Sequence, residues 1–470
     1  MNIYFAVILI YLLALVGVAV WQGRGLRSQE DFSVAGRTLS PLVLFGTMLA
    51  TWIGTGSIFG NAERTYEVGI ATLIIPLSSV FGVIVLYFLA GRVRLTEQIT
   101  IQDLLEQRYN ATARVLGVIT MTIAYITIVS YQYRAAGAVL HIVWDPISDE
   151  VASAVAAAFI ILFTAIAGMK SIANIGLIQG ITMIVGITVT LPMLFFRAGG
   201  VDGIRQALEP SHLEIFGPIG WIGALNLLLP SFFLILGDAN MYQRFLSARD
   251  AGVAKLAVLW CVVGIGFMEV TIILTGWVGS ALKPGLENPG YVIAEVSKEF
   301  LPTAVGALML TTIMAIVLST AGSYLLAPGT ALIRDVYERF IYPEASGKHL
   351  VLMLRITTLV LGLAAFGISQ LDDKFLEVAL HAYTIYGAGI TPALLAVFFW
   401  KRATAQGAVA SIFAGTGVTL LWEYWLKELF QSSMGAVLPA VAISVLMLWL
   451  VSMLTPPPRK EKYEPFFAKK

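Results

Sequence analysis

Residues 46–60, GTMLATWIGTGSIFG, are apolar enough to lie inside a bilayer, yet glycines, threonines and a serine fall where a helix should be strongest. Each glycine weakens a helix interior by about 1 kcal/mol relative to alanine. A break there frees backbone carbonyl oxygens, and at membrane depth these are tolerated only where they line a polar cavity or hold an ion. Small residues also let helices approach closely, so composition leaves both readings open. A second stretch, TTIMAIVLSTAGSYLLAPGTALIRDVYERF at 311–340, sets Ser319 beside Thr320 in an otherwise greasy helix. Two adjacent hydroxyls add an oxygen pair suited to a hard cation. They can equally bond back to their own helix carbonyls.

Ionisable groups inside a helical bundle are expensive and commonly line a pathway or pair up. Arg134, in YITIVSYQYRAAG, has the planar fork that takes a carboxylate bidentately; it can also pair within the protein or snorkel outward. Asp238, in LILGDANMYQR, can hold a substrate ammonium or neutralise Arg134 in a substrate-free cavity. For Glu269, in GFMEVTIIL, a structural pair is expected. Thr55 and Gln132 suit a pocket wall, and Trp52, inside the glycine-rich break, either packs or offers its face to a cation. An arginine for a carboxylate and an aspartate for an amine together favour a carboxylate-bearing or zwitterionic small solute.

The elements that must position these groups follow from composition. Of 470 residues, 58% are hydrophobic and 13% charged, with a mean hydropathy of +0.83, which marks a polytopic membrane protein. A formal net charge of +1 and the single Cys261 leave no case for nucleic-acid binding or a disulfide framework. No GxxxxGK[ST], HExxH or GxSxG motif appears, and His141, His212, His349 and His381 are scattered, so no enzyme is expected and energy has to come from a gradient.

A bilayer needs about 20 predominantly apolar residues per helix. Thirteen candidates lie at roughly 3–21, 41–60, 68–90, 112–142, 151–168, 171–196, 221–243, 253–282, 303–333, 350–369, 375–400, 404–424 and 436–454. With the N-terminus outside, 21 of the 30 Lys and Arg residues fall on inner segments and seven on outer ones, so an odd number of spans with the C-terminus inside is expected. The tail, 455–470, reads as a solvated basic cytoplasmic end on anionic headgroups. The whole chain, 1–470, reads as one transmembrane domain in the cell inner (plasma) membrane.

Several stretches, in order, resemble the sodium:solute symporter family, which includes proline, sugar, sialic-acid, pantothenate and choline carriers. They are EDFSVAGRTLS (30–40), ITIQDLLEQRYN (99–110), GMKSIANIGLIQG (168–180), MYQRFLSARD (241–250), LSTAGSYL with IRDVYERF, and FFWKRATAQGAVAS (398–411). The segment around Trp52 looks most like the choline-carrier branch, where an aromatic wall binds a cation. The resemblance implies an all-α LeuT-like fold of two inverted five-helix repeats, about 41–196 and about 221–400, with a leading helix at 3–21 and two more at 404–454. It implies a sodium site at Ala50, Ile53, Ile316, Ser319 and Thr320. Sialic-acid carriers resemble this chain in the arginine at Arg134, and sugar carriers place a polar substrate residue at Asp238 and an inner gate near Asn240.

One departure stands out. Many family members carry Thr-Asp where this chain has Ile175 and Gly176, so one sodium per cycle is expected rather than two. The reading is then a sodium-coupled symporter importing a small organic solute by alternating access, with sodium ion, solute and lipid as its partners. Alternatives are a choline-like cation symporter or a proton-coupled carrier on the same fold. A sensor or channel is disfavoured, since a channel needs the continuous pore that alternating gates forbid.

Overall fold

The computed structural model describes residues 2–23, 33–144, 146–167, 169–215, 219–371 and 375–467. Outside these lie Arg24, Arg27, Lys374, Lys469 and Lys470, which entered the orientation argument, and the first residues of EDFSVAGRTLS; the side chain of Lys170 is also outside them. Helices form the described structure, apart from an isolated parallel bridge between Leu39 and Ala248.

A leading helix, α1 (Ile3–Gly23), precedes the first half of the bundle. Ser40 starts α2 (Pro41–Trp52): its Oγ accepts from the Val43 N–H at 3.5 Å, and proline takes the first position, where its missing N–H costs nothing. After Ile53, Gly54 and Thr55 the chain resumes as a π-helical turn, Gly56–Gly60, that runs into α3 (Asn61–Val68). Next come α4 (Ile75–Arg94), α5 (Ile101–Arg108), α6 (Ala111–Val143), α7 (Asp149–Ile166), α8 (Met169–Arg197) and the short α9 (Gly200–Ala207).

The second half also opens on an interrupted helix. Here α10 (Gly220–Gly237) stops at Asp238 and α11 (Ala239–Ser247) follows. Then α12 (Ala251–Leu282), α13 (Val292–Phe300) and α14 (Thr303–Ala331) lead to α15 (Gly347–Ile368), α16 (Phe375–Gly389) and α17 (Thr391–Phe399). Two further spans, α18 (Ala405–Leu421) and α19 (Val437–Leu454), and a short α20 (Lys460–Phe467) complete the described chain.

Central position does not follow apolar character: α1 is more apolar than α14, yet it is peripheral and α14 is central. From Met309 to Ala331 every residue of α14 is buried, and α2, α6 and α8 pack around it. Helices at the periphery instead expose large apolar side chains such as Phe81, Phe88, Val263, Leu363 and Phe413, as a lipid-facing surface requires.

Among the described residues, twelve helical stretches are long and apolar enough to cross a bilayer. The expected span 41–60 is not one helix. Only Pro41–Trp52 is regular α-helix before the glycine-rich break, so this segment is shorter than the other spans. The expected span at 221–243 is likewise divided at Asp238.

The tail carries a short helix, with basic residues Arg459, Lys460 and Lys462 exposed. Residues 460–467 form a helix whose Phe466 is buried against Phe398, with Lys462 Nζ donating to Gln107 O at 3.3 Å; its aromatic residues find apolar cover on the protein. Three arginines counted as inner positive charges, Arg108, Arg114 and Arg244, are buried in the protein, and two of them show how such a charge is held. Arg244 is 0% exposed, and Arg114 is tied to Asp103, to Glu106 at 2.7 Å and to Asp335 at 3.3 Å. Neither charge is available to headgroups.

Candidate functional site

Ile53 is where α2 loses its hydrogen-bond ladder, with φ −72° and ψ 101°. In a continuous helix the Ser57 N–H would close on Ile53 O; here it goes to Gly54 O at 3.0 Å. The Thr320 hydroxyl, from the middle of α14, lies 3.3 Å from Ile53 O and 3.4 Å from Thr51 O and donates toward them. Ala50 lies one turn before Ile53 on α2, and Ile316 and Ser319 lie within one turn of Thr320 on α14; all are buried. Oxygens from the two stretches singled out by composition therefore meet across one helix contact.

Gly54 makes this approach possible. A Cβ there would lie 2.9 Å from Thr320 Cγ2 and 3.0 Å from its Oγ1. Alanine at 54 also favours continuing the helix by about 1 kcal/mol. Gly54→Ala is expected to displace the Thr320 hydroxyl and weaken sodium-dependent thermal stabilisation several-fold while the protein still folds. Identical sodium titrations for the variant and the parent would refute this.

A second row of polar groups lies one turn further along. Thr51 Oγ1 and Ser323 Oγ are 3.1 Å apart, and the Arg244 guanidinium donates to both, at 2.8 Å to Ser323. It also donates to Asn240 O at 3.0 Å and Thr47 O at 3.4 Å. No carboxylate forms an ion pair with Arg244 among the described residues, so this buried cation is held by carbonyls and hydroxyls that join α2, α11 and α14.

The central cavity offers about 30 Å³ to the centre of a water-sized sphere, room for no more than a compact group. Trp52, Gly54, Gln132, Thr320 and the rings of Tyr131, Tyr324 and Tyr383 line it, together with Glu269 from α12. Thr55 donates to Gln132 Oε1 behind the wall, and Gln132 Nε2 is buried without a partner among the described residues. Trp52 Nε1 donates to Glu269 Oε1 at 2.9 Å and to Ser79 Oγ at 3.1 Å.

Besides Thr55, three residues expected to bind solute or gate it lie outside this cavity. Arg134 lines a second, wider basin of about 810 Å³ with Asp149, Glu150, Lys283 and Glu295, its guanidinium 6.0 Å from the Phe375 ring centroid. Asp238 caps α11: Oδ1 accepts from the Met241 N–H at 3.1 Å and Oδ2 from the Tyr324 hydroxyl at 2.7 Å. Asn240 is fully buried, and neither side-chain polar atom has a partner among the described residues. Arg134 and Asp238 thus belong to different environments rather than to one pocket.

Gly176, the position of the family's usual aspartate, faces α2 closely. A Cβ there would lie 2.9 Å from Thr47 Oγ1 and 3.0 Å from Thr47 Cα, so an aspartate does not fit this packing.

By sequence Arg244 falls just past the expected span 221–243, among the inner positive charges, and Glu269 reads as a member of a structural pair. Sequence reasoning passed over Ser323, Tyr324 and Ser79. The available signal for Ser323 was its helical spacing of three from Thr320, which places both on one face. For Glu269 and Ser79 there was none, since their meeting depends on how α4 and α12 pack.

Residues 32–415 match the sodium:solute symporter family. Curated relatives include a sodium/proline symporter of Staphylococcus aureus, 24% identical over 481 residues that cover 97% of this chain and 93% of the relative. Its counterpart from strain JH9 is 24% identical over 484 residues with the same coverage. A solved Na+-coupled sialic acid symporter, in a substrate-bound outward-open state, superposes with a TM-score of 0.84 at 16% identity, covering 98% of this chain and 99% of that one. MHP1, a nucleobase-cation-symport-1 family transporter in a closed conformation, gives 0.61 at 12% identity over 93% and 97%. MhsT in complex with L-phenylalanine gives 0.54 at 16% identity over 92% and 99%. The all-helical architecture is that of the LeuT-like transporters.

Proposed function

Because this chain belongs to the sodium:solute symporter family, a group of integral multi-pass membrane transporters, we propose that it binds one sodium ion between the broken end of α2 and the middle of α14, and that downhill entry of that ion drives import of a small zwitterionic or carboxylate-bearing organic solute. The observation that carries this reading is the Thr320 hydroxyl set 3.3 Å from the Ile53 carbonyl, which has lost its helical partner. Ala50 and Ile316 would add backbone carbonyls and Ser319 a second hydroxyl, an all-oxygen set that suits a hard cation. The close approach of Gly176 to Thr47 supports a single sodium per cycle.

Ion binding at this place joins the two halves of the molecule and so favours the arrangement that accepts solute. Trp52 and Gln132 form walls of the solute cavity, and Thr55 holds Gln132 in place. Asp238 acts through Tyr324, whose ring it orients against the cavity. Arg134 stands in the wider basin, where a guanidinium attracts a carboxylate on its way in. Asn240, whose backbone carbonyl accepts from the Arg244 guanidinium, serves as the inner gate. The orientation that fits these roles has the N-terminus outside and the basin open to the exterior, in the cell inner (plasma) membrane. The names of the relatives, for proline and sialic acid, agree with a solute bearing a carboxylate.

Proteoliposomes test the reading. An inward sodium gradient should accumulate a zwitterionic solute at least about tenfold over a matched potassium or choline gradient, since a tenfold ratio needs only about 1.4 kcal/mol of coupling. Accumulation indifferent to the replacement of sodium would sink it.

A further inference from the structure

Among the described residues Glu269 is the one acid on the central cavity wall, and none of those lining that cavity is basic. It is 3% exposed. Its Oε1 accepts two hydrogen bonds, from Trp52 Nε1 at 2.9 Å and Ser79 Oγ at 3.0 Å, whereas Oε2 is buried with no hydrogen-bond partner among the described residues. No lysine, arginine or histidine forms an ion pair with it among the described residues. A buried carboxylate held rigidly through one oxygen and unmet at the other is completed by a group that brings positive charge together with a hydrogen-bond donor. Trp52, Tyr131, Tyr324 and Tyr383 line the same cavity and give it aromatic walls, an environment that favours a cation.

We propose that the solute carries an ammonium group with at least one N–H, and that Glu269 Oε2 accepts that N–H in the central cavity. This deepens the symport reading above and rests on it. A quaternary ammonium brings charge but no donor and leaves Oε2 unmet. An amine-free carboxylate adds a second negative charge beside Glu269. The limited room confines recognition to a compact primary or secondary amine head, with Trp52 fixing the carboxylate from behind.

The test uses the full-length protein purified in detergent. Thermal stabilisation is titrated with glycine, L-proline and ethanolamine as N–H ammonium probes, glycine betaine and choline as quaternary ones, and acetate and cyclopentanecarboxylate as amine-free acids. At least one N–H probe should stabilise the protein in sodium. Glu269→Gln should weaken that probe about tenfold to a hundredfold, the range of a charge-assisted hydrogen bond, with the shift caused by sodium alone unchanged. Glu269→Asp, which keeps the charge but withdraws it by one methylene, should be intermediate and serves if the glutamine variant does not fold. The proposal is overturned if no N–H probe stabilises the parent protein, if quaternary or amine-free probes bind best, or if neither variant weakens an N–H probe. Loss of the sodium-only shift in Glu269→Gln would make Glu269 an ion ligand and equally overturn it. A parent protein with no sodium-dependent shift marks failure of the symport reading instead.

Discussion

Thr320→Ala is expected to raise the sodium concentration for half-maximal uptake by about tenfold to a hundredfold, with near-normal folding. The magnitude follows from losing one oxygen from a charged site, worth about 1.5–3 kcal/mol, where each 1.4 kcal/mol is about tenfold. Folding should tolerate the change because the hydroxyl's contacts with Ile53 O and Thr51 O, at 3.3 and 3.4 Å, are long. Net, they stabilise the fold by only about 1 kcal/mol. Thr320→Ser retains the oxygen and should restore sodium dependence close to that of the parent. Uptake into proteoliposomes at graded external sodium is the measurement, and an alanine variant with the parent's sodium dependence would remove Thr320 from the site.

Arg244→Ala should have the opposite profile, a large loss of stability from which the loss of transport follows. The guanidinium is 0% exposed and donates to Asn240 O, Thr51 Oγ1, Ser323 Oγ and Thr47 O. Deleting it leaves these acceptors short of donors inside the bundle and opens a void between α2, α11 and α14. Unmet buried polar groups cost about 1–3 kcal/mol each, so a total loss of about 3 kcal/mol or more is expected. The melting temperature of the purified protein should fall by roughly 5 °C or more. Lysine carries the charge but not the planar fork, so Arg244→Lys should recover only part of the stability. A melting temperature for Arg244→Ala within about 1 °C of the parent would show that the clamp carries no weight.

The two variants separate binding from architecture, although their side chains meet the same short segment. Thr320 touches the carbonyls of Thr51 and Ile53 at the end of α2, and Arg244 holds the side-chain hydroxyl of the same Thr51. Sodium sensitivity should therefore change with the first, and heat sensitivity at every sodium concentration with the second.

Local composition by itself determined a good deal about this protein. Long apolar runs dictate membrane helices because the bilayer leaves backbone groups no other partner. Glycines at 54 and 56, and the Ser319-Thr320 pair, mark the places where helix and apolar environment conflict, and such conflicts can be read one residue at a time. The helical membrane class and the two oxygen-bearing stretches were legible for that reason, whereas the LeuT-like repeats were implied by the family resemblance. Only tertiary structure decided which charged groups share a space. Arg134 and Asp238 looked like complementary halves of one pocket, yet the first lines a wide basin and the second caps α11. Glu269 looked like a member of a structural pair, yet α12 packs against α4 so that its carboxylate meets Ser79 and Trp52 at the cavity wall. Arg244 counted among the inner positive charges and is the buried tie between three helices. In each case the outcome depends on helix rotation and on contacts between residues dozens to hundreds of positions apart, and no local pattern of residue types encodes those.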